Sequence, residues 1–140
     1  MAIAMKGKRV YVIDYWGTSN GTQAFEAEAE IVDVDEKRDT FSAVLYGDTY
    51  QTYSFKDFDR LVFDTKERAA AAASRLPKPQ TTMYQVIGGG NICKRIVNGI
   101  KGEYTDGGYD LLVCIEGGEA VSIKEIGRSL FFSQAEPKRK

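Results

Sequence analysis

Apolar and polar residues alternate along most of this chain, and the period of two dominates the period of helices. Arg9 to Tyr15 is β-branched and aromatic and predicts a strand. Gln23 to Asp35 alternates over a longer run, and Thr40 to Tyr46 does so again with Phe41, Ala43 and Leu45 on one face. Thr49 to Phe55 and Leu61 to Phe63 complete a set of five strands. Glycine-rich and polar turns separate them at Gly17–Gly21, Glu36–Asp39 and Gly47–Thr49. Thr65 to Arg75 breaks the rhythm. Its five consecutive alanines predict a helix that can be approached on more than one side. The second half repeats the strand pattern at Thr82–Ile87, Ile92–Lys101, Tyr109–Ile115, Ala120–Ile123 and Leu130–Phe132.

The repetition extends to residue types. Ser54-Phe-Lys-Asp-Phe-Asp-Arg60 recurs as Ser122-Ile-Lys-Glu-Ile-Gly-Arg128, offset by 68 residues. Treating Ser129 as an insertion aligns Leu61–Phe63 with Leu130–Phe132. It also aligns Asp64-Thr-Lys-Glu67 with Ser133-Gln-Ala-Glu136, each with the form of a capping box. Val10–Ile13 resembles Met83–Ile87, and Phe41–Tyr46 resembles Tyr109–Ile115. The expected fold is therefore mainly β with one α-helix: two diverged, tandem, small antiparallel β-barrels of SH3-like type, packed together. The modules span 7–76 and 81–136, and the prolines of 77–80 form a stiff linker. Pro137 and the nearby chain end leave the second helix vestigial.

The closing pattern carried by Phe55 to Ala69 and by Ile123 to Glu136 resembles small uncharacterised phage and mobile-element proteins. In these, an SH3-like module precedes a capped helix rich in alanine and glutamate. The resemblance implies an accessory protein that blocks a host defence protein, and it carries over no catalytic residue.

Composition narrows the chemistry. The 140 residues contain no histidine, which removes the commonest general base and metal ligand. Neither Cys93 nor Cys114 has a histidine to activate it, and without an export signal both are expected to be reduced thiols. Gly88-Gly-Gly90 is followed by a predicted strand rather than a helix. A hairpin turn therefore fits it better than a phosphate loop. No enzyme, metal or cofactor is expected. No run of apolar residues is long enough to span a bilayer, so the expected location is the cytoplasm. The net charge of −1 hides an acidic first module (−4 over 7–76) and a nearly balanced second (+1 over 81–140). Neither offers the basic face that phosphate backbones need, which argues against nucleic acid.

The acidic residues concentrate on one strand. Glu26, Glu28, Glu30, Asp33 and Asp35 fall within ten residues, with Ala27, Ala29 and Ile31 between them. The step from Glu30 to Asp33 breaks the alternation and predicts a β-bulge near Ile31-Val32. Two readings follow. The carboxylates are either a ladder that docks a basic protein surface, or the charged wet side of an edge strand that resists aggregation. Tyr15 and Trp16 beside the first glycine loop either extend such an interface or close the barrel as core. Tyr46, Tyr50 and Tyr53 offer more aromatic surface, but Tyr50 and Tyr53 have opposite parity and face opposite ways. The expected function is a non-enzymatic binding protein that uses Tyr15, Trp16 and the five carboxylates. The alternative is a nucleotide-like small ligand or nucleic acid held between the modules by Tyr84, Lys94, Arg95 and Arg128. Open sheet edges would also permit pairing into a homo-oligomer.

Overall fold

The computed structural model describes residues 4–134. The fold is mainly β, as the alternation predicts. The first half contributes β1 (Arg9–Thr18), β2 (Gly21–Asp35), β3 (Thr40–Leu45), β4 (Thr49–Ser54) and β5 (Val62–Phe63), then helix α1 (Lys66–Ser74). The second contributes β6 (Thr82–Ile87), β7 (Asn91–Thr105), β8 (Gly108–Ile115), β9 (Glu119–Ser122) and β10 (Leu130–Phe131). Each half uses the same strand order, β5-β1-β2-β3-β4 in the first and β10-β6-β7-β8-β9 in the second, so that the last strand returns beside the first. Among the described residues, no helix is long and apolar enough to cross a membrane.

The equivalence reaches single backbone hydrogen bonds. Tyr11 pairs with Phe63 in the first half as Tyr84 pairs with Phe131 in the second. Asp59 N donates to Val62 O and Gly127 N to Leu130 O, both at 2.8 Å. Ile13 N donates to Leu61 O as Val86 N donates to Ser129 O. Ser129 is therefore the counterpart of Leu61, not an insertion, and the 68-residue offset continues through β10. A similar correction applies to the helix start. The N-cap of α1 is Thr65, whose hydroxyl accepts from Arg68 N, and not Asp64, whose carboxylate instead holds Lys8 at 2.9 Å. The match at constant offset is Ser133, and Ala135 and Glu136 of the second predicted capping box lie outside the described residues.

The chain forms two compact units, and each takes a hairpin tip from the other half of the sequence. The first comprises Met1–Asp14, Ala24–Arg75 and Tyr104–Tyr109, so far as these are described. The second comprises Tyr15–Gln23, Leu76–Glu103 and Asp110–Lys140, with the same proviso. In the first unit Ile13, Ile31, Phe41, Leu45, Tyr53 and Leu61 are fully buried. Phe41 stacks on Phe58 with ring centroids 5.0 Å apart. Helix α1 buries a single stripe, Ala69 and Ala73, and leaves its other alanines partly open, in contrast to a helix contacted on several sides. In the second unit the core is Met83, Val97, Ile100, Leu111, Val113, Ile115 and Leu130. The tip of the first hairpin joins this unit through a parallel bridge from Thr22 to Gly99 and a 2.5 Å bond from Thr22 Oγ1 to Ile100 O. Gly88–Gly90 links β6 to β7, whose ends Ile87 and Asn91 are paired, so it is a hairpin connection.

Candidate functional site

The acidic strand sits in the first unit, and its register explains its chemistry. Ala27, Ala29 and Ile31 point into the core, while Glu28 and Glu30 are exposed and Glu26 is half-buried. Glu30 lies opposite Val44, and Ile31 opposite Ala43; then the register shifts and Asp33 lies opposite Ser42. Val32 is the extra residue of the bulge. Without it, strict alternation would turn Asp33 toward the core and Val34 toward water. With it, Glu28, Glu30, Asp33 and Asp35 share one outer face. β3 and β4 extend that face, because Val44 pairs with Tyr50, Ser42 with Thr52 and Thr40 with Ser54. A column of carboxylates on β2 thus lies two strands, about 10 Å, from a column on β4 headed by Tyr50.

The carboxylates are not equivalent. Glu28 holds Arg9 at 2.6 Å. Asp35 folds back on its own turn and accepts from Lys37 N and Arg38 N, both at 3.2 Å. Glu30 and Asp33 have neither a donor nor a cation among the described residues. β2 is bonded to β1 on one side and β3 on the other, so it is an interior strand. This removes the reading of its charges as protection for an open edge. β4 is an open edge of this sheet, since it pairs with β3 alone. There, Thr52 N donates to the Tyr104 hydroxyl at 3.0 Å and Ser54 N to Asp57 Oδ2 at 2.9 Å.

Aromatic rings border the acidic column. Tyr46, Tyr50 and Tyr104 are 62%, 67% and 61% exposed, whereas Tyr53 is buried, as the parity of Tyr50 and Tyr53 requires. Tyr104 is held edge-on to Tyr109 at 5.2 Å, and Tyr109 to Tyr53 at 5.6 Å, so a ladder of three rings runs from core to surface. Burial raises the Tyr53 pKa well above its usual value. Tyr46 opens the β3–β4 turn with a left-handed backbone (φ 59°), where a bulky side chain is strained. Its hydroxyl donates to Asp14 Oδ2 at 2.8 Å. Partial burial, together with that bond to a carboxylate, pushes its pKa up to about 12. Between Tyr46 and β2 lies an open groove of about 390 Å³, lined by Arg9, Glu28, Ala29, Glu30, Val44, Tyr46 and Gly47.

The remaining sequence-predicted residues fall elsewhere. Tyr15 and Trp16 belong to the second unit and the five carboxylates to the first. Trp16 is 58% exposed and so does not close a barrel as core. Tyr84, Lys94, Arg95 and Arg128 all lie in the second unit. Tyr84 and Lys94 are directly paired and share a face; Arg95 pairs with buried Met83 on the other face and binds Glu119. Arg128 is exposed beyond β9, and its backbone N donates to Glu125 O. Sequence reasoning missed Arg9, Val44 and Tyr104. Arg9 and Val44 were readable from strand pairing with β2, but nothing in the sequence near Tyr104 signals its arrival at β4.

Among the described residues, no group of three acidic or cysteine side chains is placed to hold a metal ion. Cys93 and Cys114 are separate free thiols, and burial raises the Cys114 pKa. No model of a known protein family matches the chain, and no curated protein sequence matches it.

Proposed function

We propose that this chain is a non-enzymatic interaction module that docks a basic protein surface on the outer face of β2, β3 and β4. The observation that supports it is the bulge at Val32, which keeps Asp33 on the same exposed face as Glu30; among the described residues neither is paired, and Glu30 lies level with Val44 and Tyr50 beside the Tyr46 groove. Unpaired carboxylates beside exposed rings combine long-range attraction for a cationic partner with area for close contact. The resemblance noted above gives this reading its biological form, an accessory protein of a mobile element that binds a host defence protein.

The test is a purified partner's binding as a function of salt. A partner recovered from bacterial lysate should bind the wild type with an affinity that falls steeply with ionic strength. The double variant Glu30→Lys with Asp33→Lys should lower the affinity at least tenfold at low salt while circular dichroism and melting temperature stay within error. An affinity that ignores both salt and charge reversal would overturn the reading.

A further inference from the structure

We propose that the groove between Tyr46 and Glu30 accepts the side chain of one arginine from an extended segment of the partner. The inference rests on the reading of the outer face as an interaction surface and names what that surface recognises. At about 390 Å³ the groove lies at the small end of ligand sites, which run from about 300 to 1,000 Å³. It is open to solvent along its length, so it suits a side chain better than an enclosed cofactor. Arg9, Glu28, Ala29 and Glu30 line it from β1 and β2, and the half-buried Val44, Tyr46 and Gly47 line it from β3 and the turn that follows.

With Arg9 neutralised by Glu28, the remaining lining of Val44, Tyr46 and Glu30 suits arginine. An aliphatic stem covers the valine, a planar cation stacks on the tyrosine, and a forked donor meets a carboxylate. The protein's own Arg9 already places a guanidinium nitrogen 2.6 Å from Glu28. Glu28 is thereby satisfied, and Glu30, next along the same face, has no donor among the described residues. The Tyr46 ring is fixed for this role by its hydroxyl bond to Asp14, despite the strained left-handed backbone at that position. Strand addition at β4 is the competing mode of peptide capture. The Tyr104 hydroxyl and the Asp57 carboxylate occupy the edge amides of Thr52 and Ser54, so the partner is read across the face by side chains.

The experiment uses the full chain labelled with ¹⁵N and three synthetic peptides, acetyl-Gly-Ser-Pro-X-Pro-Ser-Gly-amide, where X is arginine, lysine or citrulline. The arginine peptide should shift the amides of residues 28–30 and 44–47. The lysine peptide should bind at least threefold more weakly, and the neutral citrulline peptide should not bind. Glu30→Gln should weaken the arginine peptide at least tenfold. Tyr46→Asn, which tolerates the left-handed turn, should weaken it at least fivefold with the melting temperature held. Glu67→Gln, on the exposed side of α1, should change nothing. Equal binding of all three peptides, or full binding by Glu30→Gln, would overturn the assignment. Shifts confined to residues 33–35 would remove the groove but leave the acidic face as an interaction surface. Groove binding by a protein whose natural partner ignores charge reversal would do the opposite.

Discussion

The two halves of the chain close their sheets with the same backbone and different side chains. In the first half, Ser54 opens a short 3₁₀ turn, its hydroxyl accepts from Lys56 N, and Asp57 answers by accepting from Ser54 N. Asp57 is nearly buried and also holds Arg60 at 2.7 Å. In the second half, Ser122 accepts from Lys124 N in the same way, but Glu125 takes the hydroxyl of Ser129 at 2.7 Å. The aromatic stack of Phe41, Phe55 and Phe58 gives way to Ile123 and Ile126. The turn geometry is thus held by a serine, an acidic residue and a left-handed position, and the fill around it is free to drift.

The largest effect should come from the acidic residue of this turn. Asp57→Ala removes the acceptor for a backbone amide and the partner of a three-quarters buried arginine side chain. Losing an interaction of that kind costs about 2–4 kcal/mol. Glu125→Ala removes a half-exposed hydroxyl bond, worth about 1 kcal/mol. Urea unfolding of both variants measures the difference. Equal losses would mean that the two closures depend on their acids alike and that burial at Asp57 adds nothing.

A smaller effect separates the left-handed positions. Asp59 (φ 65°) and Gly127 (φ 87°) occupy the same place in the two turns. Gly127→Ala meets no atom within 4 Å of its new Cβ, so its cost is purely that of the backbone, about 1 kcal/mol. Asp59→Gly relieves the same strain but gives up the exposed ion pair with Arg68, worth at most about 1 kcal/mol. It should leave stability unchanged or slightly raised. A clear loss on Asp59→Gly would show that the ion pair, not the turn, fixes this residue.

These positions also mark what the sequence could reveal. The alternation placed Ala27, Ala29 and Ile31 inside, and the broken rhythm at Glu30–Asp33 marked the bulge, because a period of two exposes any extra residue. The frame of the repeat slipped at Ser129 for a physical reason. Matching apolar identities aligned Leu61 with Leu130, whereas the backbone continues the offset that already matched Asp59 with Gly127 and so aligns Leu61 with Ser129. Thr65 and Asp64 are both good caps, and the choice between them depended on Lys8, distant in sequence but close enough to claim Asp64. Tyr104 was beyond reach for the same kind of reason. Its contacts with Thr52 and Tyr109 follow from a hairpin tip that joins the first unit, and no local pattern encodes that.

The finest contrast lies in the turns before β4 and β9. Leu45 O accepts from Asp48 N in one, and Ile115 O from Gly118 N in the other. The first carries Tyr46 at its leading position and the second Glu116. The folded Tyr46 pKa of about 12 exceeds the usual value of 10, so folding favours the neutral phenol. That contribution is complete below pH 10 and is lost as pH rises from 10 to 12, when the unfolded chain ionises first. Buried Tyr53 acts with the same sign, so the wild type should lose melting temperature steadily across this range. Tyr46→Phe should lower stability by less than about 1 kcal/mol at neutral pH and flatten the decline between pH 10 and 12. Parallel curves for the two proteins would mean that the bond to Asp14 does not hold the Tyr46 ring, and the groove would then lack the fixed wall that its recognition of arginine requires.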